Sequence, residues 1–524
     1  MVLYIFFMTN RKEKTIIFEI SQNLNQKSIC TELSKRYAVV KEKPLKAKLL
    51  YLDTFDWRIY NSGFLLIKEN DNFILKNKSS DKTICTLVSK SANNPSFWWN
   101  FEKSSLKNEL KPILDLRALM PIVTIQRTSE SYRLLNKDEK TVLRLYFDKI
   151  KPIAPGSISS KIDLLTLKPL RGYYKELVEL NEFLETIGLI KSQHDYFDLL
   201  LKIFTTIPSE YSSKLNINLQ PGMSCKAALI IILNHLLNTI KQNEEGIKKD
   251  IDTEFLHDFR VAVRRTRSAL TLIKGVFDKE ILSSHNAAFS KLGKATNPVR
   301  DLDVYLLKRE QYLNIIPPDQ HPGLELIFEK LSEERKTQYL KLKRFLNSQA
   351  YKKIIKNWED FLSTESQSST NTENSNTEVF VLAKRIISKK HEQIVTAGKK
   401  IDDMTPVSGL HSLRIECKEL RYLLEFFFSL FHKNEISSAI KRLKKLQDNL
   451  GNFNDLCMQQ QSLKEFAQNF DSHSKNITIS SGGLIAVLYQ KQNKIRNEFT
   501  NTFKQFTGSE NSKLFIKLFS HHKR

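Results

Sequence analysis

The spacing of hydrophobic positions changes near residue 220. From residue 14 to about 168 the apolar side chains alternate or run in short blocks, at 15–20, 47–53, 64–68, 73–76, 122–127, 142–150 and 162–167, the pattern of strands with a buried face. Two stretches interrupt it. Near 26–36, Ile29 and Leu33 share a helical face, and 173–188 spells a helix that ends on its glycine. From about residue 221 the apolar residues recur at steps of three and four, in 225–243, 255–277, 323–346, 379–397, 408–431, 437–451 and 484–506. The pattern predicts an α+β multidomain chain, with an antiparallel β tunnel or barrel followed by an all-α domain of helical bundles.

The helical part repeats itself. Leu256, His257, Phe259, Arg260, Val263, Arg264, Arg267 and Leu270 are answered by Leu410, His411, Leu413, Arg414, Cys417, Lys418, Arg421 and Leu424. Every member of the second set follows its counterpart by 154 residues, and Asp455 follows Asp301 by the same 154, so separated landmarks keep one register. Steps of three, four and three put each histidine and its three cations on one helical face. The copies span about 218–362 and 378–517, and the polar run 363–377, which contains no apolar residue, reads as a flexible linker. Two such bundles facing each other would set both ladders beside a shared groove suited to a long anion.

Composition narrows the partner. The 524 residues, 41% of them hydrophobic, are enough for two or three packed cores. A net charge of +24 favours an anionic partner, and the excess is carried by both parts of the chain. Cys30, Cys85, Cys225, Cys417 and Cys457 form no CxxC pair, which argues against a zinc site or disulfide scaffold and suits a reducing cytoplasm. The apolar run 2–8 is short for an export signal, and no run approaches the roughly 20 residues of a membrane span. A cytoplasmic protein without a membrane partner is expected.

Two resemblances bear on function. The segment Tyr51-Leu52-Asp53-Thr54-Phe55-Asp56-Trp57-Arg58-Ile59-Tyr60-Asn61-Ser62-Gly63-Phe64-Leu65-Leu66, with Leu167-Lys168-Pro169-Leu170-Arg171-Gly172, resembles the CYTH family. That implies, for about 11–205, a tunnel of roughly eight antiparallel strands, lined in active members by acids that hold a divalent metal and cations that hold a triphosphate. Here the domain reads as degenerate. Where the family has E-x-E-x-K the chain has Phe18-Glu19-Ile20-Ser21-Gln22, leaving Glu19 alone, and the last strand, Lys161-Ile162-Asp163-Leu164-Leu165, leaves Asp163 alone. Lys68, Lys76, Arg127, Arg133 and Arg144 lie in or beside predicted strands and complete a residual phosphate or metal site, or else a solvated face. Mg²⁺ or Mn²⁺ is expected only if this domain is active, and no other cofactor is expected.

The second resemblance is more specific. Leu256-His257-x-x-Arg260-x-x-x-Arg264-Arg265-x-Arg267, Arg300-Asp301-Leu302-Asp303-Val304, Leu410-His411-x-x-Arg414-x-x-x-Lys418-x-x-Arg421-Tyr422 and Leu446-Gln447-x-x-Leu450-Gly451-x-x-Asn454-Asp455 resemble the CHAD family over roughly 218–517. Membership implies a helical fold that binds inorganic polyphosphate. One departure is Thr296-Asn297-Pro298, where the second copy has Leu450-Gly451-Asn452, and it draws attention to a helix end near Pro298.

The candidate polyphosphate-binding residues are His257, Arg260, Arg264, Arg265, Arg267, Lys291, His411, Arg414, Lys418, Arg421, Lys444 and Lys445, with Lys294 and Lys441 as outer cations. Lys and Arg release the counterions condensed on a polyanion, and Arg grips phosphate oxygens through two donors. The two histidines gain charge as pH falls toward about 6.5, so binding is expected to tighten in acid. Asp301, Asp303 and Asp455 read as caps or partners of arginine in preference to a metal site. The leading expectation is a non-catalytic polyphosphate-binding protein, with polyphosphate granules as a candidate location. Alternatives are a metal-dependent CYTH-type triphosphatase tethered to polyphosphate and a nucleic-acid binder, the last disfavoured by the lack of a nucleic-acid motif or aromatic stacking series.

Overall fold

The computed structural model describes residues 15–20, 24–89, 95–153, 162–204, 208, 211–367, 372–468 and 475–520. The apolar run 2–8 lies outside them. Two compact units divide the chain, Met1–Tyr211 and Ser212–Arg524.

The first unit is an antiparallel sheet of ten strands: β1 (Ile16–Glu19), β2 (Ala38–Lys41), β3 (Leu45–Asp53), β4 (Phe64–Glu69), β5 (Asn72–Asn77), β6 (Thr83–Val88), β7 (Met120–Leu135), β8 (Thr141–Pro152), β9 (Ile162–Pro169) and β10 (Ile190–Lys191). They run in the order β10-β1-β9-β8-β7-β3-β4-β5-β6, with β2 paired to the far half of β7. The pairing path is open, not a closed barrel, yet the sheet curls on itself. Asp81, in the β5–β6 turn, bonds Lys76 of β5 at 3.0 Å and Lys168 of β9 at 2.9 Å, although β5 and β9 stand far apart in strand order.

The helices of this unit are α1 (Gln26–Ser34), α2 (Arg58–Asn61), α3 (Ser105–Leu114), α4 (Tyr174–Thr186) and α5 (Tyr196–Ile203). Because side chains alternate along a strand, register sorts the sheet into two faces. One carries Phe18, Leu134, Leu145 and Leu167 against α1 and α4. The other carries Ile17, Leu49, Tyr51, Ile125, Ile150 and Leu164 against Phe197 and Leu200 of α5. Both faces are therefore covered. This explains why hydrophobic alternation does not reveal 128–135 as strand: Ser129, Ser131 and Arg133 are polar but sit on the covered face beside Asp148, Tyr146 and Arg144. β2 and β6 escape the same pattern as short, largely exposed strands.

The second unit is all helix: α6 (Cys225–Lys248), α7 (Thr253–Leu272), α8 (Lys279–Leu306), α9 (Arg309–Leu313), α10 (His321–Asn347), α11 (Gln349–Gln367), α12 (Val379–Gly398), α13 (Val407–Phe426), α14 (Lys433–Gln468), α15 (Lys475–Thr507) and α16 (Ser509–Phe519). The starts of α6 and α12, α7 and α13, α8 and α14, and α10 and α15 are each 154 residues apart. The copies face each other about an approximate two-fold axis. Cys225 donates its backbone N–H to Thr377 and Val379 donates to Met223, both at 2.8 Å, and these bonds are images of one another under the repeat. Tyr305 Oη likewise donates to the carbonyl of Gln459, its own counterpart, at 3.2 Å.

Two expectations are corrected. The polar run 363–377 is not a free linker over its described residues. Up to Gln367 it belongs to α11, and at its other end Asn374 is bonded to Gly275 and Lys274 while Thr372 reaches Val276, so it clamps the α7–α8 turn. Nor does a helix end at Pro298. α8 runs through it, carried by Phe289, Leu292, Val299 and Leu302 at helical spacing on its buried side.

The copies are also tied by charge. Arg265 of α7 is almost fully buried and donates to Glu425 of α13 at 2.6 Å and to the Ser213 carbonyl at 2.7 Å. Arg265→Ala is expected to destabilise the helical unit by about 2 kcal/mol, because it empties an almost fully buried site and leaves one oxygen of the partly buried Glu425 and the Ser213 carbonyl without their donor. A double-mutant cycle with Glu425→Gln, read by denaturant melting, should show coupling; additive losses would mean that the pair does not join the copies.

Candidate anion-binding site

α7 and α13 pack against each other, so the two ladders meet. Both helices have capable starts. Asp252 caps α7 by accepting the N–H groups of Glu254 and Phe255, and α13 follows Pro406. Leu256, Phe259, Val263 and Leu270 are buried on one side of α7, and Leu410, Leu413, Cys417 and Leu424 on the corresponding side of α13, leaving the cations at the margin between core and solvent.

At the middle of the ladders lie Arg264 and Lys418, which are 154 residues apart and are therefore images of one another. They are close enough for the arginine's charge to act on the lysine, which sets both near the two-fold axis. Lys418 also feels Arg414 and Arg421 from its own helix. The carboxylate among these neighbours, Asp455 of α14, is already engaged by Arg414 at 3.2 Å. Partial burial, and then this cationic company, push the Lys418 ammonium down from 10.5 to about 8. Arg260 is likewise pushed down to about 10, by burial first and then by Arg264, with Asp301 opposing and Arg300 adding to the shift. The acids that reach the cluster act on Arg414, Arg421 and Arg260, whereas Arg264 and Arg267 have no acid partner among the described contacts, and a bound anion would supply one.

The outer rungs are oriented largely by uncharged partners, with Glu425 on Arg421 the charged exception. Arg260 reaches across to α8, where its Nη1 lies 2.9 Å from Thr296 Oγ1, 2.6 Å from Asn297 Oδ1 and 3.4 Å from the Gly293 carbonyl. This is the segment before Pro298, whose ring nitrogen has no proton to give the Lys294 carbonyl. His411 is exposed, and its Nδ1 lies 2.5 Å from Oδ1 of the buried Asn454. With that oxygen as acceptor, Nδ1 carries the proton and Nε2 is turned outward. His257 holds the same position in the first copy and is partly buried. Arg421 donates to Gln447 at 3.3 Å and pairs with Glu425 at 3.0 Å.

The structure places the predicted residues unequally. His257, Arg260, Arg264 and Arg267 share a face of α7, as do His411, Arg414, Lys418 and Arg421 on α13, and Arg264 and Arg267 are exposed. Lys291, Lys294, Lys441, Lys444 and Lys445 are exposed on α8 and α14. Arg265 leaves the set, because one residue along a helix turns its side chain by about 100° away from the ladder and both described contacts are internal. Asp303 pairs with Arg335 at 2.8 Å, and the raised carboxyl of Asp301 owes its shift to burial, offset by Arg260 and Arg300. Sequence reasoning missed Asn454, Gln447 and Glu425 as orienting residues, although Gln447 and Asn454 stand within the CHAD-like motif of the second copy.

In the sheet unit, register puts Arg127, Arg133, Arg144 and Lys76 on the face that α5 covers, while Lys68 and Asp163 point to the opposite face. Glu19 is in the same row as Leu164 and Asp148 but is exposed. The inward cations already have acids: Arg127 with Glu69 at 3.3 Å, Arg133 and Arg144 with Glu42 at 3.3 and 3.2 Å, and Lys76 with Asp81. Glu42, Glu69, Asp81 and the buried Asp148 were missed, since no motif marks them. Glu19 and Asp163, on opposite faces, do not fit one divalent ion, and of the inward acids Glu42, Glu69 and Asp81 are paired with arginine or lysine while Asp148 stands on Ser129. These residues do not assemble a site for a metal-assisted step.

Residues 231–464 match the CHAD domain family. No curated protein matches the chain. Among solved structures, the chain is similar to the CHAD domain from the plant Ricinus communis, at 23% identity over 56% of this chain and 96% of that one, with a TM-score of 0.48. It is also similar to PptA from Streptomyces chartreusis, at 11% identity over 54% of this chain and all of that one, with a TM-score of 0.42.

Lys418 offers a direct check on the cationic cluster. Its folded value lies below its unfolded one, so the folded chain holds fewer protons between about 8 and 10.5. The stability penalty of charging it is complete below about 8 and fades as pH rises toward 10.5. NMR of the isotopically methylated lysines should show one resonance, absent in Lys418→Arg, that titrates near 8. Titration of every lysine above 10 would show that the cluster is well hydrated.

Proposed function

We propose, from the match of residues 231–464 to the CHAD domain family, that this protein binds inorganic polyphosphate in a groove between α7 and α13, without catalysis. The observation that carries the reading is the packing of α7 against α13, which brings the two cation ladders together so that the charge of Arg264 acts on Lys418 across the copies. Bringing such groups together is unfavourable until an anion arrives, so part of the binding free energy is the release of that repulsion. Arg264, Arg267 and Arg421 offer planar guanidinium forks to phosphate oxygens, and Lys418 a point charge. The exposed lysines of α8 and α14 extend the same field.

The triphosphatase alternative finds no favouring geometry in the sheet unit, where inward cations and acids neutralise each other. Among the described residues no helix is long and apolar enough to cross a membrane. A cytoplasmic location, on polyphosphate granules where the ligand is stored, accompanies the proposal.

Polyphosphate titration at two salt concentrations tests it. Arg264→Ala with Arg267→Ala should weaken binding about tenfold or more and lower the salt slope by about two, while far-ultraviolet circular dichroism stays unchanged. Displacement of polyphosphate by duplex DNA at equal phosphate concentration would overturn the proposal. Affinity should also fall as pH rises from 7 to 9, because binding must reprotonate Lys418, and Lys418→Arg should abolish that fall. A pH-independent affinity in the parent chain would place the lysine outside the site.

A further inference from the structure

A second cationic surface lies outside the ladders. The α10–α11 hairpin carries Arg335, Lys336, Lys341, Lys343, Arg344, Lys352, Lys353 and Lys356 in the stretch 335–356, which has no acid. Arg335 is used internally, on Asp250 and Asp303. The other seven are exposed, and no acid partner accompanies them among the described contacts. Lys352 and Lys356, four apart, and Lys341 and Arg344, three apart, are like-charge neighbours on one helical face, each pair costing a few tenths of a kcal/mol unless an anion intervenes.

The second copy does not reproduce this surface. At the matching positions of α15, Lys491, Lys494, Arg496 and Lys504 are mixed with Glu498, and Arg496 is taken by the carbonyls of Asp403 and Thr405. The hairpin charge is thus not a by-product of the repeat that builds the groove. Its position is fixed relative to the ladder. Tyr339 Oη donates to the Lys248 carbonyl at the end of α6, and Arg335 holds Asp250 in the turn that leads into α7. His257 lies about 6 Å along α7 from that turn, at 1.5 Å per residue. The hairpin therefore begins beside the histidine end of the first ladder.

We propose that the α10–α11 hairpin is a second contact for the same polyanion, reached only by chains that run past the His257 end of the groove, and so makes binding depend on chain length. The idea rests on the polyphosphate reading of the groove. It favours a flexible linear anion over a lipid surface, because Leu340 is the one large apolar side chain exposed on the stretch, whereas an interfacial helix presents a continuous apolar face.

The test uses the full chain with Lys341→Gln, Lys343→Gln, Lys352→Gln and Lys353→Gln combined. Glutamine keeps helix propensity, and all four sites are exposed. Two polyphosphates of defined length are titrated, one short enough to be covered by the eight ladder residues and one several times longer, each at two salt concentrations. Expected are an unchanged affinity for the short chain, a loss of about tenfold or more for the long one, and a long-chain salt slope lower by about three. Equal loss for both lengths would reduce the hairpin to a general field, and no loss would exclude it; either outcome overturns the inference. So would a loss confined to anionic phosphatidylserine vesicles or duplex RNA. Failure of the parent chain to bind the short polymer would instead remove the groove reading itself.

Discussion

Everything in the helical unit turns on two like charges held where an approximate two-fold axis passes. Arg264 and Lys418 occupy equivalent places in the two copies, and packing α7 against α13 brings them together whatever their mutual repulsion. The core on the far side of each helix makes this tolerable. Leucine and phenylalanine burial fixes the helices, and the cations take the positions left at the margin. The site is a gathering of like charges held in place by an ordinary hydrophobic core.

Neutral groups set the outer parts of the ladders. Asn454 holds His411, Gln447 steadies Arg421, and Thr296 with Asn297 steadies Arg260. Amides and hydroxyls orient a cation without neutralising it, and although Arg414 and Arg421 also meet Asp455 and Glu425, Arg264 and Arg267 have no acid partner among the described contacts. The sheet unit does the reverse. There Glu42, Glu69 and Asp81 meet the inward arginines and lysines directly, and the interior is close to balanced. The same residue types thus form a positively charged surface in one unit and a self-compensated network in the other.

Much of this was legible in the sequence. The period of two and the later steps of three and four placed β1, β3, β4, β5, β8 and β9 and the ladder helices α7 and α13, because these elements bury one face and solvate or orient the other. Long-range pairing was not legible. Nothing local says that Ser129 and Arg133 lie on a covered face, or that the polar residues 372–377 close over the α7–α8 turn. α8 was missed because its apolar positions are interspersed with Ala, Ser and Thr and interrupted by Pro298. Arg265 was counted among the binding cations beside the ladder, though one step along a helix changes the face. Acids that compensate cations across strands carry no motif, and so Glu42 and Asp81 could be found only in three dimensions.

The duplicated bundle has a consequence for the kind of molecule it can read. A site with approximate two-fold symmetry presents the same sequence of contacts to a ligand entering from either end. Peptides and single strands of nucleic acid have a direction, and half of such a site would meet them backwards. A chain of identical phosphates has none: reversed end for end, it is the same object. If the proposed ligand is such a directionless polymer, the near-symmetry that relates Arg264 to Lys418 would let it enter in either orientation and double the ways in which it can be caught.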